Sequence, residues 1–139
     1  MTRLFLDTNI VMDLLDERDP FWKDAARLFA IAYQKRVQLI VAPLTFTTAS
    51  YLLSKNNSPQ EVGSLLASFR QLVHVATVDE RSIDDALASL FEDFEDAVQY
   101  YTALKAKSDI IITRNGRDFA NSKIPVMTAA EYLASFSVL

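Results

Sequence analysis

The sequence predicts an α/β fold built around a parallel sheet. Short apolar segments alternate along the whole chain with segments whose apolar residues recur at helical spacing. One segment, Ile110–Thr113, is so apolar that it should be buried on both faces, which is typical of a parallel strand. Polar residues directly follow several apolar segments, as they do at the ligand-binding edge of such a sheet. At 139 residues, the chain fits a single domain, residues 1–139.

The composition restricts the classes of function. The chain has no cysteine and one histidine, which excludes disulfides, thiolate catalysis and zinc sites built from cysteine or clustered histidine. Any bound metal needs oxygen ligands, which suit Mg²⁺, Mn²⁺ or Ca²⁺. Two glycines cannot form a phosphate loop or a dinucleotide fingerprint. A net charge of −4 argues against non-specific nucleic-acid binding by the whole surface, and the lack of a long apolar run predicts a cytoplasmic protein outside the membrane.

The first strand and the turn after it carry the first candidate site. Leu4–Leu6 is a short apolar strand, and Asp7, Thr8 and Asn9 follow it directly, before the apolar helix Ile10–Leu15. Three polar side chains at the carboxyl end of a strand suit a metal or phosphate site. The alternative is that Asp7 or Thr8 only caps the following helix.

Helical spacing of apolar residues predicts a second helix over Pro20–Lys35. Gln38–Ala42 is the next strand, and Pro43 ends it because proline lacks the amide that a central strand donates. The helix Leu44–Lys55 follows. The hydroxyls of Thr45–Ser50 in this helix either face a ligand or bond to nearby backbone carbonyls.

The middle of the chain predicts two helices separated by a short strand. Gln60–Leu72 is a helix that follows a turn, and the alternating segment Val73–Val78 is a strand near a sheet edge. The helix Asp79–Phe91 comes next. Its spacing places Leu87 and Leu90 among the residues of the buried side.

Two acids begin the next helix. Asp93 occupies a good N-cap position, and Asp96 lies three residues later, as in a capping box. Capping and direct metal ligation are alternatives of equal weight for Asp93. For Asp96, the backbone amides and dipole of the first turn are expected to keep the carboxylate ionised, which would serve metal binding.

The buried strand Ile110–Thr113 leads into a polar cluster of Arg114, Asn115, Arg117 and Asp118. A brief strand over Pro125–Thr128 and a helix over Ala129–Ala134 complete the prediction.

Three acids in separate segments could meet in one pocket. Asp7, Asp96 and Asp118 each lie where the carboxyl end of a strand meets the start of a helix. Ionised carboxylates repel one another at close range unless cations neutralise them. One or two Mg²⁺ or Mn²⁺ ions would do so, and would also support an in-line phosphoryl displacement without histidine or cysteine.

Three segments of the chain resemble the PIN domain family, the metal-dependent ribonucleases that include VapC-type toxins of bacterial toxin–antitoxin systems. They are Leu4–Leu15 (LFLDTNIVMDLL), Asp93–Leu104 (DFEDAVQYYTAL) and Ile111–Phe119 (IITRNGRDF). The resemblance implies a three-layer α/β/α sandwich with a central, mainly parallel sheet of four or five strands. It also implies an acidic pocket that holds Mg²⁺ or Mn²⁺ and cleaves single-stranded RNA or tRNA, and it allows an antitoxin partner and a homodimer.

The resemblance assigns roles to individual residues. Asp7 matches the first family carboxylate, Asp96 the third, and Asp118 or Asn115 the fourth region, so the three aspartates are the expected catalytic and metal-binding residues. The residues expected to support the pocket are Thr8, Asn9, Asp93, Thr113 and Asn115.

Arg114 and Arg117 are the expected RNA-binding residues, because they flank the last acidic corner and could hold phosphates there. A solvated loop is the alternative for both.

The chain departs from the family pattern at the second acid. Many members carry glutamate on the helix after the second strand, but Thr48 stands there, and no acid occurs from Val37 to Gln60. One fewer carboxylate weakens metal binding or leaves a site for a single ion.

Two other functions compete with the ribonuclease. A catalytically weak PIN-like binding module would accept a partner's arginine in its acidic cleft. A phosphatase or receiver domain with Asp7 as phospho-acceptor would need a lysine near the pocket, and Lys105 and Lys107 are poorly placed for that role.

Overall fold

Five strands form one parallel sheet in the computed structural model, which describes residues 1–138 and the side chains of residues 1–136. The strands are β1 (Thr2–Leu6), β2 (Val37–Val41), β3 (His74–Val75), β4 (Ile110–Ile112) and β5 (Val126–Met127). They lie in the order β3-β2-β1-β4-β5, and every neighbouring pair is parallel. The predicted parallel sheet of four or five strands is therefore confirmed.

Seven α-helices flank the sheet within residues 1–138. They are α1 (Thr8–Leu15), α2 (Trp22–Tyr33), α3 (Pro43–Leu53), α4 (Pro59–Arg70), α5 (Glu80–Leu87), α6 (Phe94–Lys105) and α7 (Ala129–Val138). A short 3-10 helix, Gly116–Phe119, follows β4. None of the helices in this part of the chain is long and apolar enough to cross a membrane.

The order of the strands places a crevice beside the carboxyl end of β1. From β1 the chain moves outward through β2 to β3, and then returns to the other side of β1 as β4 and β5. Leu6 pairs with Ile112, and the Asp7 amide donates a 3.0 Å hydrogen bond to the Ile112 carbonyl. Asp7 and Thr113 therefore leave the sheet side by side. Open α/β sheets bind ligands at such a reversal of strand order.

Apolar side chains are buried on both faces of the sheet. Leu4 and Leu6 of β1 belong to a cluster that includes residues of α1, α2 and α7. Phe5 belongs to a second cluster with Tyr100 of α6 and Phe119 of the 3-10 helix. Successive side chains of a strand point to opposite faces, so the alternation along β1 serves both clusters. The predicted three-layer sandwich is confirmed.

The prediction for α5 is wrong in its extent. The helix ends at Leu87 instead of Phe91, with Ala88 as its C-cap. Leu87 and Leu90, which helical spacing placed on the buried side, are 69% and 84% exposed. The end of the helix accounts for Leu90, which lies in the loop beyond it. Leu87 is the last residue of the helix, and its exposure shows that the apolar stripe does not extend to the final position.

The C-terminal end of α6 offers a test of backbone strain. Lys107 follows the C-cap Ala106 in the left-handed region, with φ of 58°. Its amide donates to the Leu104 carbonyl, and the Ser108 amide donates to the Ala103 carbonyl, which are the two bonds of a Schellman motif. Glycine adopts this conformation without the steric cost that a Cβ atom brings.

Lys107→Gly is therefore expected to raise the free energy of unfolding by about 1 kcal/mol. Urea denaturation measures the change. Lys107→Ala is the matched control, because it removes the same exposed side chain and keeps the Cβ atom, and it should give no comparable gain. Equal stability of the two variants would contradict the explanation from backbone strain.

Candidate active site

Asp7 is buried and held by two hydrogen bonds at the end of β1. Its side chain occupies the N-cap position of α1 but makes no capping bond, so the alternative that Asp7 only caps the helix is wrong. Instead, the Thr113 hydroxyl donates to Oδ2 at 2.7 Å and the Gln99 side-chain amide donates to Oδ1 at 3.1 Å. Each carboxylate oxygen keeps a further lone pair for a ligand.

Gln99 of α6 connects Asp7 to Thr8 and is 1% exposed. Its Oε1 accepts from the Thr8 amide at 3.1 Å and from the Thr8 hydroxyl at 3.3 Å. The Thr8 hydroxyl also lies 3.0 Å from that of Thr45 in α3. Sequence reasoning missed Gln99. The available signal was its position three residues after Asp96, on the same face of the helix.

A cavity of about 330 Å³, here called the acidic cavity, lies at the carboxyl edge of the sheet. Seven of the ten predicted catalytic, pocket-support and RNA-binding residues line it, namely Asp7, Thr8, Asn9, Asp93, Asp96, Asn115 and Asp118. Thr113 does not line the acidic cavity, but its hydroxyl donates a hydrogen bond to Asp7. The geometry brings these residues together, and their catalytic roles stay predictions.

Asp93 caps α6 and also lines the acidic cavity. Its Oδ1 accepts a 3.0 Å hydrogen bond from the Asp96 amide, which confirms the predicted N-cap. The two alternatives weighed for Asp93 are therefore compatible, since capping uses one of its two carboxylate oxygens.

Asp96 does not stay fully ionised at neutral pH. Burial, followed by the charges of Asp7, Asp93, Asp118 and Glu95, raises its pKa to about 7. The expectation that the helix dipole and backbone amides would keep Asp96 ionised is wrong, because desolvation and four like charges outweigh them.

The pKa of Asp96 predicts how stability depends on pH in a buffer with chelator. Its pKa rises on folding from 3.8 to about 7, so in this window the folded state binds more protons than the unfolded state. The free energy of unfolding therefore falls as pH rises from about 4 to about 7. Since Asp96 is only half-buried, solvent screening limits the effect to about 1 kcal/mol.

Asp96→Asn should remove this contribution and make the protein more stable than the unsubstituted chain at about pH 8. Urea denaturation of both proteins across the pH range measures the difference between them, in which the contributions of other groups cancel. Parallel stability curves for the two proteins would contradict the assignment.

Thr48 lines the acidic cavity at the position where the family pattern has an acid. Glu95, which sequence reasoning did not select, lines the same cavity. Burial, then the charges of Asp93 and Asp7, raises the pKa of Glu95. The cavity thus contains a glutamate from α6 although α3 provides none.

The donor atoms of the acidic cavity fit a hard divalent cation. The carboxylates of Asp7, Asp93, Glu95, Asp96 and Asp118 line it, and carboxylate oxygens are ligands that suit Mg²⁺ and Mn²⁺. Within residues 1–138, no three acidic or histidine side chains lie close enough together to form a preformed metal cluster. A cation bound among these carboxylates would offset the burial and the like charges that raise the pKa of Asp96.

The two predicted RNA-binding arginines lie in different surroundings. Arg117 lines a second cavity, of about 550 Å³, beside the acidic one. Arg114 instead donates to both carboxylate oxygens of Asp13, at 2.8 and 3.1 Å, and its guanidinium lies 4.0 Å from the centre of the Phe21 ring. The alternative that Arg114 is only a solvated loop residue is therefore wrong. Its contact with RNA stays a prediction, with less support than that of Arg117.

Sequence comparison relates the chain to ribonucleases. The profile of a family described as PIN domain matches residues 3–117. The chain is also similar to ribonuclease VapC1 from Aquifex aeolicus (strain VF5), with 24% identity over 145 residues, which cover 99% of this chain and 97% of the relative.

Solved structures share the fold. A protein from Pyrobaculum aerophilum has a TM-score of 0.68 at 16% identity, over 99% of this chain and 97% of that one. A toxin–antitoxin complex from Klebsiella pneumoniae has a TM-score of 0.67 at 21% identity, over 91% and 97%. VapC20 from Mycobacterium tuberculosis, described as a sarcin–ricin loop cleaving toxin, has 0.63 at 20% identity, over 78% and 86%. At such identities the likeness concerns the fold alone.

Proposed function

This chain belongs to the PIN domain family, and from that premise we propose that it is an endoribonuclease that uses Mg²⁺ or Mn²⁺ to hydrolyse phosphodiester bonds of single-stranded RNA or tRNA. The proposal includes a role in the cytoplasm as the toxin of a toxin–antitoxin pair. The relatives that support it are the ribonuclease VapC1 and the toxin–antitoxin complex from Klebsiella pneumoniae.

The convergence of Asp7, Asp96 and Asp118 on the acidic cavity carries the proposal. Asp7 follows β1, Asp96 lies in the first turn of α6, and Asp118 lies in the 3-10 helix after β4, at the ligand-binding edge of the sheet. A divalent ion bound there would activate water and stabilise the leaving oxygen of the phosphodiester. Oxygen ligands are the one metal-binding chemistry that the composition provides.

The protein residues would act by holding and orienting groups. Asp7, fixed by Thr113 and Gln99, presents its remaining lone pairs to the cavity in one orientation. Asp96 would exchange its proton for a cation, since the positive charge replaces the proton in neutralising the repulsion from its neighbours. Asp118 lines both cavities and would face the substrate strand where they meet.

RNA cleavage is expected to require Mg²⁺ or Mn²⁺. Excess chelator should reduce cleavage to background, and added Mn²⁺ should restore it, because the carboxylates alone provide no nucleophile and no positive charge for the phosphate. Gel analysis of a labelled single-stranded RNA measures the products. Asp84→Asn, a change of an exposed acid of α5, is the matched control and should keep full activity. Undiminished cleavage in chelator would contradict the proposal.

A second candidate function is the weak binding module whose acidic cleft holds a partner's arginine. Two observations favour it, namely Thr48 in the cavity and the lack of a preformed metal cluster among residues 1–138. Thermal unfolding with and without Mn²⁺ separates the two functions, because a ligand bound only by the folded state raises Tm. The ribonuclease should show a shift, which Thr48→Glu should enlarge. The module should show none at millimolar metal.

A further inference from the structure

The larger cavity beside the acidic one, here called the second cavity, has no role in the cleavage chemistry described above. Its volume is about 550 Å³, which lies within the range of sites that hold small molecules. Asp93, Asp96 and Asp118 line both cavities. The two cavities therefore lie side by side and share an acidic wall.

The rest of the second cavity combines apolar and polar groups. Leu90 and Phe91 provide apolar surface, and Arg117 and Asn121 provide hydrogen-bond donors. Glu92 adds a fourth carboxylate to the cavity, so Arg117 is the one cationic side chain that lines it in the part of the chain that the structure describes. Leu90 is 84% exposed, so its side chain contributes little to the core. Burying such a side chain against a ligand gains free energy that the free protein does not have.

The ring of Phe91 is held in place. It stacks on Tyr100, with ring centres 5.1 Å apart and 29° between planes, and it packs edge-to-face with Phe119, with ring centres 6.0 Å apart. A ring fixed before binding loses little conformational entropy when a flat ligand packs against it. Nucleobases are such ligands, and proteins that bind single strands place aromatic and apolar side chains against them.

Two polar side chains of the second cavity, Arg117 and Asn121, are free to bind a ligand. Among residues 1–138, the side chains of Arg117 and Asn121 have neither a hydrogen-bond nor an ion-pair partner. A guanidinium binds phosphate oxygens, and a side-chain amide can donate to or accept from the edge of a base.

We propose that the second cavity is the subsite for the nucleotide next to the bond that is cut, with its base against Leu90 and Phe91 and its phosphate at Arg117. This inference rests on the proposed ribonuclease function and extends it by specifying the path of the substrate strand. A base can enter only if it is unpaired, so the subsite selects single-stranded RNA over duplex.

Binding of single-stranded oligoadenylate to the full-length chain tests the subsite. The Asp7→Asn background prevents cleavage, and fluorescence anisotropy measures the affinity. Leu90→Ala is expected to weaken binding about five-fold, and Leu90→Trp to tighten it by a similar factor, because an indole ring stacks on a base and the aliphatic leucine side chain does not. Arg117→Gln should weaken binding and reduce the slope of log affinity against log salt by about 0.7.

Leu87→Ala is the matched control. Leu87 is also exposed and lies three residues away, but it does not line the second cavity. The affinity of the Leu87→Ala protein for oligoadenylate should therefore be unchanged. With Asp7 restored, Leu90→Ala should raise KM for RNA and leave kcat unchanged, which a purely structural role of Leu90 would not produce.

Unchanged affinity in both Leu90 variants would overturn the subsite. A change in the oligomeric state of the Leu90 variants in solution, without a change in their RNA affinity, would also overturn it, because Leu90 would then form a contact between protein molecules. If the unsubstituted protein cleaves RNA with Mn²⁺ and the Leu90 variants keep its KM, only the subsite fails. If the unsubstituted protein neither binds nor cleaves RNA, the proposed function fails as well.

Discussion

Asp7→Asn is expected to reduce RNA cleavage about a thousand-fold or more while the protein stays folded. Asp7 is a buried carboxylate of the acidic cavity, and hydrogen bonds from Thr113 and Gln99 orient its two oxygens. Loss of a metal-binding carboxylate removes charge stabilisation worth several kcal/mol in the transition state, and each 1.36 kcal/mol is a factor of ten in rate.

Asparagine separates the loss of chemistry from the loss of structure better than alanine. Its side-chain oxygen can still accept from Gln99, whereas Asp7→Ala would leave the Gln99 amide and the Thr113 hydroxyl buried without this partner. Such unsatisfied groups cost about 1–3 kcal/mol each. Asp7→Asn should therefore unfold near the temperature of the unsubstituted protein, and retention of full cleavage in a clean preparation would contradict the role of Asp7.

Gln99→Leu tests whether the orientation of Asp7 matters for cleavage, and its effect should be smaller than that of Asp7→Asn. It keeps Asp7 and removes the amide that orients it, so cleavage should fall about 10- to 100-fold, as for partners that orient metal ligands. The metal concentration for half-maximal activity should also rise, which a merely structural loss would not produce. Gln99→Glu would place a second carboxylate on Asp7, and it should impair the folded protein more than Gln99→Leu unless metal is present.

Arg114→Met is expected to lower the free energy of unfolding by about 3 kcal/mol. The Asp13 side chain is 1% exposed, and Arg114, itself 26% exposed, makes two parallel hydrogen bonds to its carboxylate. Removing the guanidinium leaves a buried charge without a partner, which is the costly half of a buried ion pair. Chemical denaturation measures the loss.

Two variants make this expectation specific. Arg117→Met removes an arginine without a partner in the described part of the chain and should change stability by less than about 0.5 kcal/mol. Asp13→Asn combined with Arg114→Met removes both charges and should recover about 1 kcal/mol or more of the loss. If the double variant is no more stable than Arg114→Met, the unpaired Asp13 charge is not the cause.

Much of the architecture could be predicted because its signals are local. The apolar strands, the helix that begins at Asp93 and the polar turn after β1 are each encoded by a few adjacent residues. The placement of Asp7, Asp96 and Asp118 at one edge followed from the parallel sheet, since the carboxyl ends of parallel strands meet there. The predicted helix α5 was too long, so Leu90 was expected on its buried side but lies exposed in the loop after it. The boundaries of helices have weaker local signals than their interiors.

The parallel sheet, the acids at its carboxyl edge and the missing acid at Thr48 can all be predicted from the order of residues along the chain. The contacts of each polar group depend on the folded structure: Gln99 reaches Asp7 from 92 residues away, and Arg114 reaches Asp13 from 101. The folded structure also determines that burial, followed by four neighbouring charges, raises the pKa of Asp96. Contacts and desolvation depend on which elements the fold brings together, and no local pattern of residue types contains that information.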